Sequence, residues 1–159
     1  MQLAAISGGR IYLSTSVLYA TFLALAIGYR YAAVRRQFGP PKGPEVSILS
    51  YPDVQNRMFP MIAKHIAYSR AGKIMVNIWH ENVDDILNPN NKNAAELHAL
   101  SSVFKPLATW HMARMTHEVR EICGGMGISA YSGIPKVIMD LEVNQTWEGD
   151  NNVSLFFED

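Results

Sequence analysis

The sequence predicts an all-α domain, an antiparallel bundle of three long helices followed by shorter C-terminal helices. Three observations predict it: an apolar stretch over residues 14–29, apolar residues at helical spacing over about 52–80, and a third long helical pattern over 94–122. Short connections between such helices favour antiparallel neighbours. We expect one domain over residues 1–159, because the chain has the length of a single domain and 48% of its residues are hydrophobic, ample for one core.

The stretch STSVLYATFLALAIGY, from Ser14 to Tyr29, predicts the first helix, and Arg30, Arg35 and Arg36 follow at spacings that continue it. A membrane span needs about 18 apolar residues in a row, whereas this stretch is shorter and is interrupted by Ser, Thr and Gly. No small-residue cleavage site follows it cleanly, which disfavours a signal peptide. We interpret it as a buried helix of the bundle, and a small membrane-anchored protein is an alternative that rests on this helix alone.

Proline and glycine mark the connection to the second helix. The segment GPPKGP, from Gly39 to Pro44, has three prolines and two glycines in six residues, which predicts a loop. The second helix begins near Pro52, because proline fits a first helical turn, and runs to about His80. Its apolar residues recur at the period of an amphipathic helix: Val54, Met58, Met61, Ile62, Ile66, Ile74 and Ile78.

The second half of the chain is divided in the same way. The composition of NVDDILNPNNKN, residues 82–93, predicts a loop, and residues 94–122 predict the third long helix. The segment CGGMG should end that helix, since glycine adopts the left-handed conformation that a C-terminus requires. Residues 134–144 predict a short helix or an extended segment, and a last helix is expected to begin after Gly149.

Composition disfavours several classes of function. Lys plus Arg and Asp plus Glu both total 14, so no broad field steers the chain toward nucleic acid or an anionic membrane. The single cysteine, Cys123, excludes an internal disulfide and is expected to pack as a small apolar residue in a reducing compartment. The five histidines lack a spacing that would predict a metal site.

Four motifs together carry a resemblance to a known family. They are RRQFG at the end of the first helix, ILSYPDVQNRMFP at the start of the second, REICGGMG closing the third, and TWEGDN before the last. In this order and spacing, the chain resembles the C-terminal helical domain of the acyl-CoA oxidase and dehydrogenase superfamily from about Gly9 onward. It is more similar to the oxidases, because dehydrogenases usually have Glu-Gly-Thr where EGDN stands and lack the long loop GPPKGPEVSILSYP.

The resemblance implies an FAD-dependent oxidation of acyl-CoA to trans-2-enoyl-CoA, with molecular oxygen reduced to hydrogen peroxide. Glu148 matches the base that removes the α-proton while the flavin takes hydride from the β-carbon. We expect Glu148 to be removed from water, because a desolvated carboxylate holds a proton more tightly. Trp147 would wall the site against water, Gly149 would allow close approach to the backbone, and the Glu148 N–H would help to stabilise the enolate oxygen. The alternative from the residues alone is that Glu148 caps the following helix.

The resemblance also implies eight residues that contact FAD, most of them on the flavin of a neighbouring subunit in a homodimer. Arg35 matches the family arginine that contacts the FAD pyrophosphate, since a guanidinium pairs well with anionic oxygens. Gly124 and Gly125 match the glycine pair on which the adenosine part of FAD lies. Each has a structural alternative, such as a solvated helix end for Arg35, a surface amide for Gln55 or a helix stop for the glycines. The full set is Arg35, Gln37, Phe38, Gln55, Gly124, Gly125, Asp150 and Asn151.

The sequence departs from the family where Met126, Gly127 and Ile128 replace a frequent His-Gly-Tyr. We expect the chain to be a fragment that lacks the N-terminal helical and middle β-domains and is inactive alone. An acyl-CoA dehydrogenase and a noncatalytic helical dimerisation module are the alternative functions. The family implies a peroxisomal location, although no targeting signal is visible in the chain.

Overall fold

The computed structural model describes residues 2–84 and 93–156. Within these residues it has five α-helices, which confirms the all-α prediction. They are α1 (Gln2–Val34), α2 (Pro52–Asn82), α3 (Asn93–Ile122), α4 (Ile134–Glu142) and α5 (Asn151–Phe156). The predicted 82–93 loop lies between α2 and α3, and residues 85–92 of it lie outside the described residues.

Two groups of buried apolar residues order the three long helices. One joins Leu25 near the end of α1 to Met58 near the start of α2 and Ile122 at the end of α3. The other joins the first half of α1, through Ile11, to the end of α2 and the start of α3, through Met75, Leu97 and Phe104. Consecutive long helices therefore run in opposite directions, and α1 and α3 run the same way and make the most extensive contact.

Helix α1 packs one face into the core of this bundle. Over Ala5–Val34 it is long and apolar enough to cross a membrane by length and composition, but 44% of its most apolar stretch is buried inside the protein. Its buried apolar residues recur on one face, where α2 and α3 pack: Ile11, Val17, Leu18, Ala24, Leu25 and Ala32. The Ser14 hydroxyl donates to the Arg10 carbonyl oxygen at 2.6 Å, which satisfies a polar group that interrupts the apolar run.

The expectation that Arg35 and Arg36 continue the first helix is wrong. Helix α1 ends at Val34, and a short strand β1 (Arg36–Gln37) pairs antiparallel with β2 (Val46–Ser47). The predicted proline-rich loop is the tip of this hairpin.

The physical reason lies in the carbonyl groups that a helix leaves unpaired at its C-terminus. The Ser47 hydroxyl donates to the Ala32 carbonyl oxygen at 2.8 Å. The Ile48 N–H donates to the Arg35 carbonyl oxygen at 2.9 Å. The last residue of β2 and the residue after it thus supply donors that a further helical turn would otherwise provide.

Candidate active site

Glu148 lies on the segment between the 3-10 turn Val143–Gln145 and α5. Its φ is 57°, a left-handed conformation that residues other than glycine seldom adopt, and Gly149 follows with φ 104°. The Glu148 side chain is exposed, and Trp147 beside it is 59% exposed. The described part of the chain therefore does not by itself remove the carboxylate from water, contrary to our expectation.

The Glu148 carboxylate rests against the backbone of α1 at Gly9. A Cβ built on Gly9 would lie 2.6 Å from Glu148 Oε1, closer than real Cβ contacts allow. Only glycine at this position leaves the carboxylate where it is.

Arg10 holds the backbone of the same segment. Its Nε donates to the Glu148 carbonyl oxygen at 3.0 Å, and its Nη1 donates to the Ser102 hydroxyl of α3. The guanidinium therefore connects α1, α3 and the peptide group that follows Glu148.

Lys105 lies beneath the segment and is fully buried. Its ammonium donates to the carbonyl oxygens of Gln145 at 3.2 Å and Gly149 at 2.6 Å, and to Asn151 Oδ1 at 2.7 Å. Burial, together with the charge of Arg10, lowers the pKa of Lys105 to about 8, although the negative charges of Asp150 and Glu148 oppose this shift. All three acceptors are neutral, and no carboxylate in the described ranges lies within ion-pair distance.

Asp150 and Asn151 have roles within the chain. Asp150 Oδ1 accepts the N–H of Asn152 at 2.9 Å, and this bond chiefly holds the pKa of Asp150 below its ordinary value. Asp150 therefore caps α5, which is the role that the sequence alone also allowed for Glu148. Asn151 is 1% exposed, and its amide also donates to Thr109 Oγ1 at 2.9 Å, so its side chain faces the interior instead of a ligand.

The other predicted FAD contacts lie at the opposite end of the bundle. Arg35 and Gln37 are exposed, and Phe38 is 72% exposed with a left-handed φ of 58°. Gln55 is half-buried, and its amide donates to the Leu49 carbonyl oxygen at 2.9 Å.

The glycine pair follows the end of α3 at that same end of the bundle. Gly124 has φ 56°, which confirms the predicted left-handed residue after the helix. A Cβ on either Gly124 or Gly125 would meet no atom within 4 Å. The described residues therefore leave open space over the pair.

Two sets of candidate residues are thus well separated in one chain. Glu148 contacts the start of α1 at Arg10, whereas Arg35 follows its end at Val34. The 24 helical steps from Arg10 to Val34 span about 36 Å at about 1.5 Å each. One chain does not bring Glu148 and Arg35 together.

Away from the Glu148 segment, burial also shifts the pKa values of two histidines and the cysteine. Burial lowers the pKa of both His65 and His111, the latter to about 4, and their rings lie 6.1 Å apart. Cys123 is buried and burial raises the pKa of its thiol, as for a packed apolar residue. Among the residues that the structure describes, no group of three His, Cys, Asp or Glu could hold a metal ion.

Comparison with known proteins identifies the domain. Residues 3–156 match the family model of the acyl-CoA oxidase C-alpha1 domain. The chain belongs to the acyl-CoA oxidase family. The resemblance carried by the four motifs is confirmed.

Curated relatives and solved structures agree with this assignment. The chain is 36% identical to a putative peroxisomal acyl-coenzyme A oxidase 3.2 of Arabidopsis thaliana, over 95% of this chain and 22% of that protein. It is 35% identical to peroxisomal acyl-coenzyme A oxidase 3 of Homo sapiens, over 97% of this chain and 23% of that protein. The structure of acyl-CoA oxidase-1 of Caenorhabditis elegans with FAD and ATP superposes with a TM-score of 0.89 at 33% identity, over 94% of this chain and 23% of that one. The chain spans less than a quarter of the length of these relatives.

Within this oxidase domain, sequence reasoning missed three residues around Glu148. Gly9 and Arg10 come early in α1, and a glycine inside a helical pattern indicates close approach of another group. Lys105 falls eight residues after Leu97 and seven before Met112, both of which are fully buried. This spacing places it on the core face of α3, and that position was the signal for a buried lysine.

Proposed function

We propose that the chain is part of an FAD-dependent acyl-CoA oxidase in which Glu148 removes the α-proton of the substrate. When bound, FAD would accept the hydride from the β-carbon and pass its electrons to molecular oxygen, which gives trans-2-enoyl-CoA and hydrogen peroxide. The Glu148 carboxylate takes the proton, and its backbone N–H is the donor we assign to the thioester oxygen, on which negative charge develops.

The observation that carries this proposal is the backbone at Glu148. A left-handed residue other than glycine costs about 1–3 kcal/mol and persists only where its surroundings hold it. Arg10 holds the Glu148 carbonyl, and Gly9 leaves room for the carboxylate. Since Asp150 already caps α5, this arrangement is not needed to start the helix.

The residues at the other end of the bundle fit an anionic, aromatic cofactor. Arg35 supplies an exposed guanidinium, and Phe38 supplies an exposed ring. Among the described residues, Gly125 has no neighbour that would exclude a side chain, so contact with a group outside this chain would explain its small size. We assign these residues to FAD.

The separation along α1 supports a homodimer. Each chain would present Glu148 to one flavin and the Arg35 set to the flavin of its partner, because about 36 Å separates the two ends. The desolvation that Glu148 needs would come from the flavin, the substrate and domains outside this chain. We propose a peroxisomal location for the parent protein, as in the names of the relatives.

Peroxide formation by the full-length protein tests the proposal. Purified protein given an acyl-CoA should release hydrogen peroxide in step with oxygen uptake. A flavin that is reduced by acyl-CoA but reoxidised only by an added electron-transfer protein would indicate a dehydrogenase. A full-length protein that purifies without flavin and binds none would indicate a noncatalytic module.

Replacing Gly9 with Ala in the full-length protein should lower the rate of flavin reduction by about 10- to 100-fold. The added methyl group would take the space of the Glu148 carboxylate, which is the movable end of a side chain, so the thermal unfolding midpoint should stay nearly constant. Gly72→Ala on α2, whose Cβ would meet a Thr15 methyl group at 3.0 Å, is the matched control. An unchanged rate in Gly9→Ala, measured by anaerobic stopped-flow absorbance, would contradict the placement of the carboxylate.

A further inference from the structure

We propose that Lys105 and Arg10 are positioning residues for Glu148, and that together they clamp the segment 145–151 from below. This inference rests on the proposed role of Glu148 as the base. Each of the two acts through hydrogen bonds to the backbone that aims Glu148.

Lys105 is buried to an unusual extent for a lysine. A lysine is almost never fully buried unless it is paired, and burial of an unpaired charge is unfavourable. Here the ammonium is fully buried, and all three of its N–H groups reach acceptors on one segment, at Gln145, Gly149 and Asn151. A methionine would fill the same volume without this cost, so packing alone does not account for a lysine.

The hydrogen bonds from Lys105 and Arg10 fall on Glu148 and on both sides of it. Lys105 binds the carbonyl oxygens of Gln145 and Gly149, which lie on either side of Glu148 in the sequence. Arg10 binds the carbonyl oxygen of Glu148 itself. These three bonds orient the peptide groups around Glu148 and hold its φ at 57°. The direction of its side chain and of its N–H follows from that backbone.

The protonation state of Lys105 decides how many of these bonds it can donate. Lys105 faces Arg10 from α1, and Glu148 and Asp150 from the segment above it. A neutral amine has two N–H donors for three acceptors, so loss of the proton would release one of the clamp bonds. Because the pKa of Lys105 is about 8, proton removal by Glu148 should weaken as pH rises through about 8.

Folding stability should rise with pH, whereas the rate of proton removal should fall. The pKa of Lys105 lies below its ordinary value of 10.5 in the folded chain, so the unfolded chain binds more protons between about 8 and 10.5. The contribution of this group to the free energy of unfolding therefore rises with pH across that window. If the rate of proton removal falls while stability rises, the loss of rate comes from lost positioning and not from unfolding.

The test uses the full-length FAD-loaded protein and an acyl-CoA with sulfur in place of the β-carbon. This probe can lose its α-proton but cannot donate a hydride, so deuterium incorporation from solvent at its α-carbon reports on Glu148 alone. The variants are Lys105→Met, Arg10→Met and the conservative Arg10→Lys. Lys136→Met is the control, because Lys136 is exposed and pairs with Asp140 on α4.

In Lys105→Met and Arg10→Met we expect α-deuteration to slow by about 100-fold, with a smaller change in the Kd of the probe. Backbone hydrogen exchange over residues 145–151, followed by mass spectrometry, should become faster in both. Arg10→Lys should recover part of the rate, and Lys136→Met should match the unmodified protein.

The inference would be overturned if Lys105→Met showed the same α-deuteration rate as the control, and the same hydrogen-exchange protection over residues 145–151. If that variant does not fold, Arg10→Met decides, and control-like values there overturn it equally. The proposed function fails separately, through α-deuteration that persists in Glu148→Gln. If Glu148→Gln shows no α-deuteration while the Lys105 and Arg10 variants behave as the control, the positioning role is wrong and Glu148 is still supported as the base.

Discussion

Replacing Glu148 with Gln in the full-length protein should lower the rate of flavin reduction by acyl-CoA by about 10²- to 10⁴-fold, the usual contribution of a general base. The amide keeps the size of the side chain but cannot accept the α-proton. Since Glu148 is exposed in this domain, its replacement should change the free energy of unfolding by less than about 0.5 kcal/mol. FAD content should stay unchanged, because no step of cofactor binding is assigned to the carboxylate.

Anaerobic stopped-flow absorbance of the flavin measures this rate directly. Glu142→Gln is a suitable control, because Glu142 is also exposed, lies six residues away and bonds only to the Gln145 side chain among the described residues. Flavin bleaching in Glu148→Gln at the rate of the control would rule out Glu148 as the base.

The second large effect is expected on stability, at Gly127. A Cβ on this residue would lie 2.1 Å from the carbonyl oxygen of Arg120, which belongs to the backbone of α3 and cannot rotate away. Overpacking of this kind costs about 1–3 kcal/mol and sometimes more. Gly127→Ala should therefore lower the thermal unfolding midpoint of the full-length protein, as measured by circular dichroism.

Gly125→Ala is the matched variant, two residues away. Nothing in the described structure lies within 4 Å of its added Cβ, so its unfolding midpoint without FAD should equal that of the unmodified protein. If FAD rests on this glycine, the Kd for FAD should rise, by about 10-fold for each 1.4 kcal/mol of lost contact. Equal unfolding midpoints in both variants would contradict the packing at Gly127, and an unchanged Kd in Gly125→Ala would contradict the cofactor assignment.

The helices could be predicted because their signals are local. Pro52 marks the first turn of α2, and Gly124 takes the left-handed conformation just after α3. The predicted end of α3 at Ile122 agrees with the structure. Such positions depend on the conformational limits of single residues, which the sequence states directly.

The end of α1 could not be predicted in this way. Arg35 and Arg36 have good helical propensity, yet the chain leaves the helix because Ser47 and Ile48, more than ten residues later, supply donors to its last carbonyls. Donors that come from a distant segment have no signature in the local pattern.

The candidate site shows the same division. Glu148 and the glycine pair were found from motifs that lie in short stretches of sequence. Gly9 and Arg10 meet Glu148, and Lys105 meets the residues on either side of it, only because α1 and α3 pack side by side. Their role could not be read from spacing, since 95 residues separate Arg10 from Lys105 along the chain.

By itself, the sequence determined the all-α class, the positions of α2 and α3, and the family, because helical period, proline, glycine and short motifs are properties of neighbouring residues. Only the tertiary structure decided that Asp150 caps α5, that a buried ammonium ties down the segment of Glu148, and that Glu148 and Arg35 lie at opposite ends of one helix. Hydrogen bonds and distances between remote segments depend on how helices pack, and packing sums many contacts that no single stretch of sequence contains.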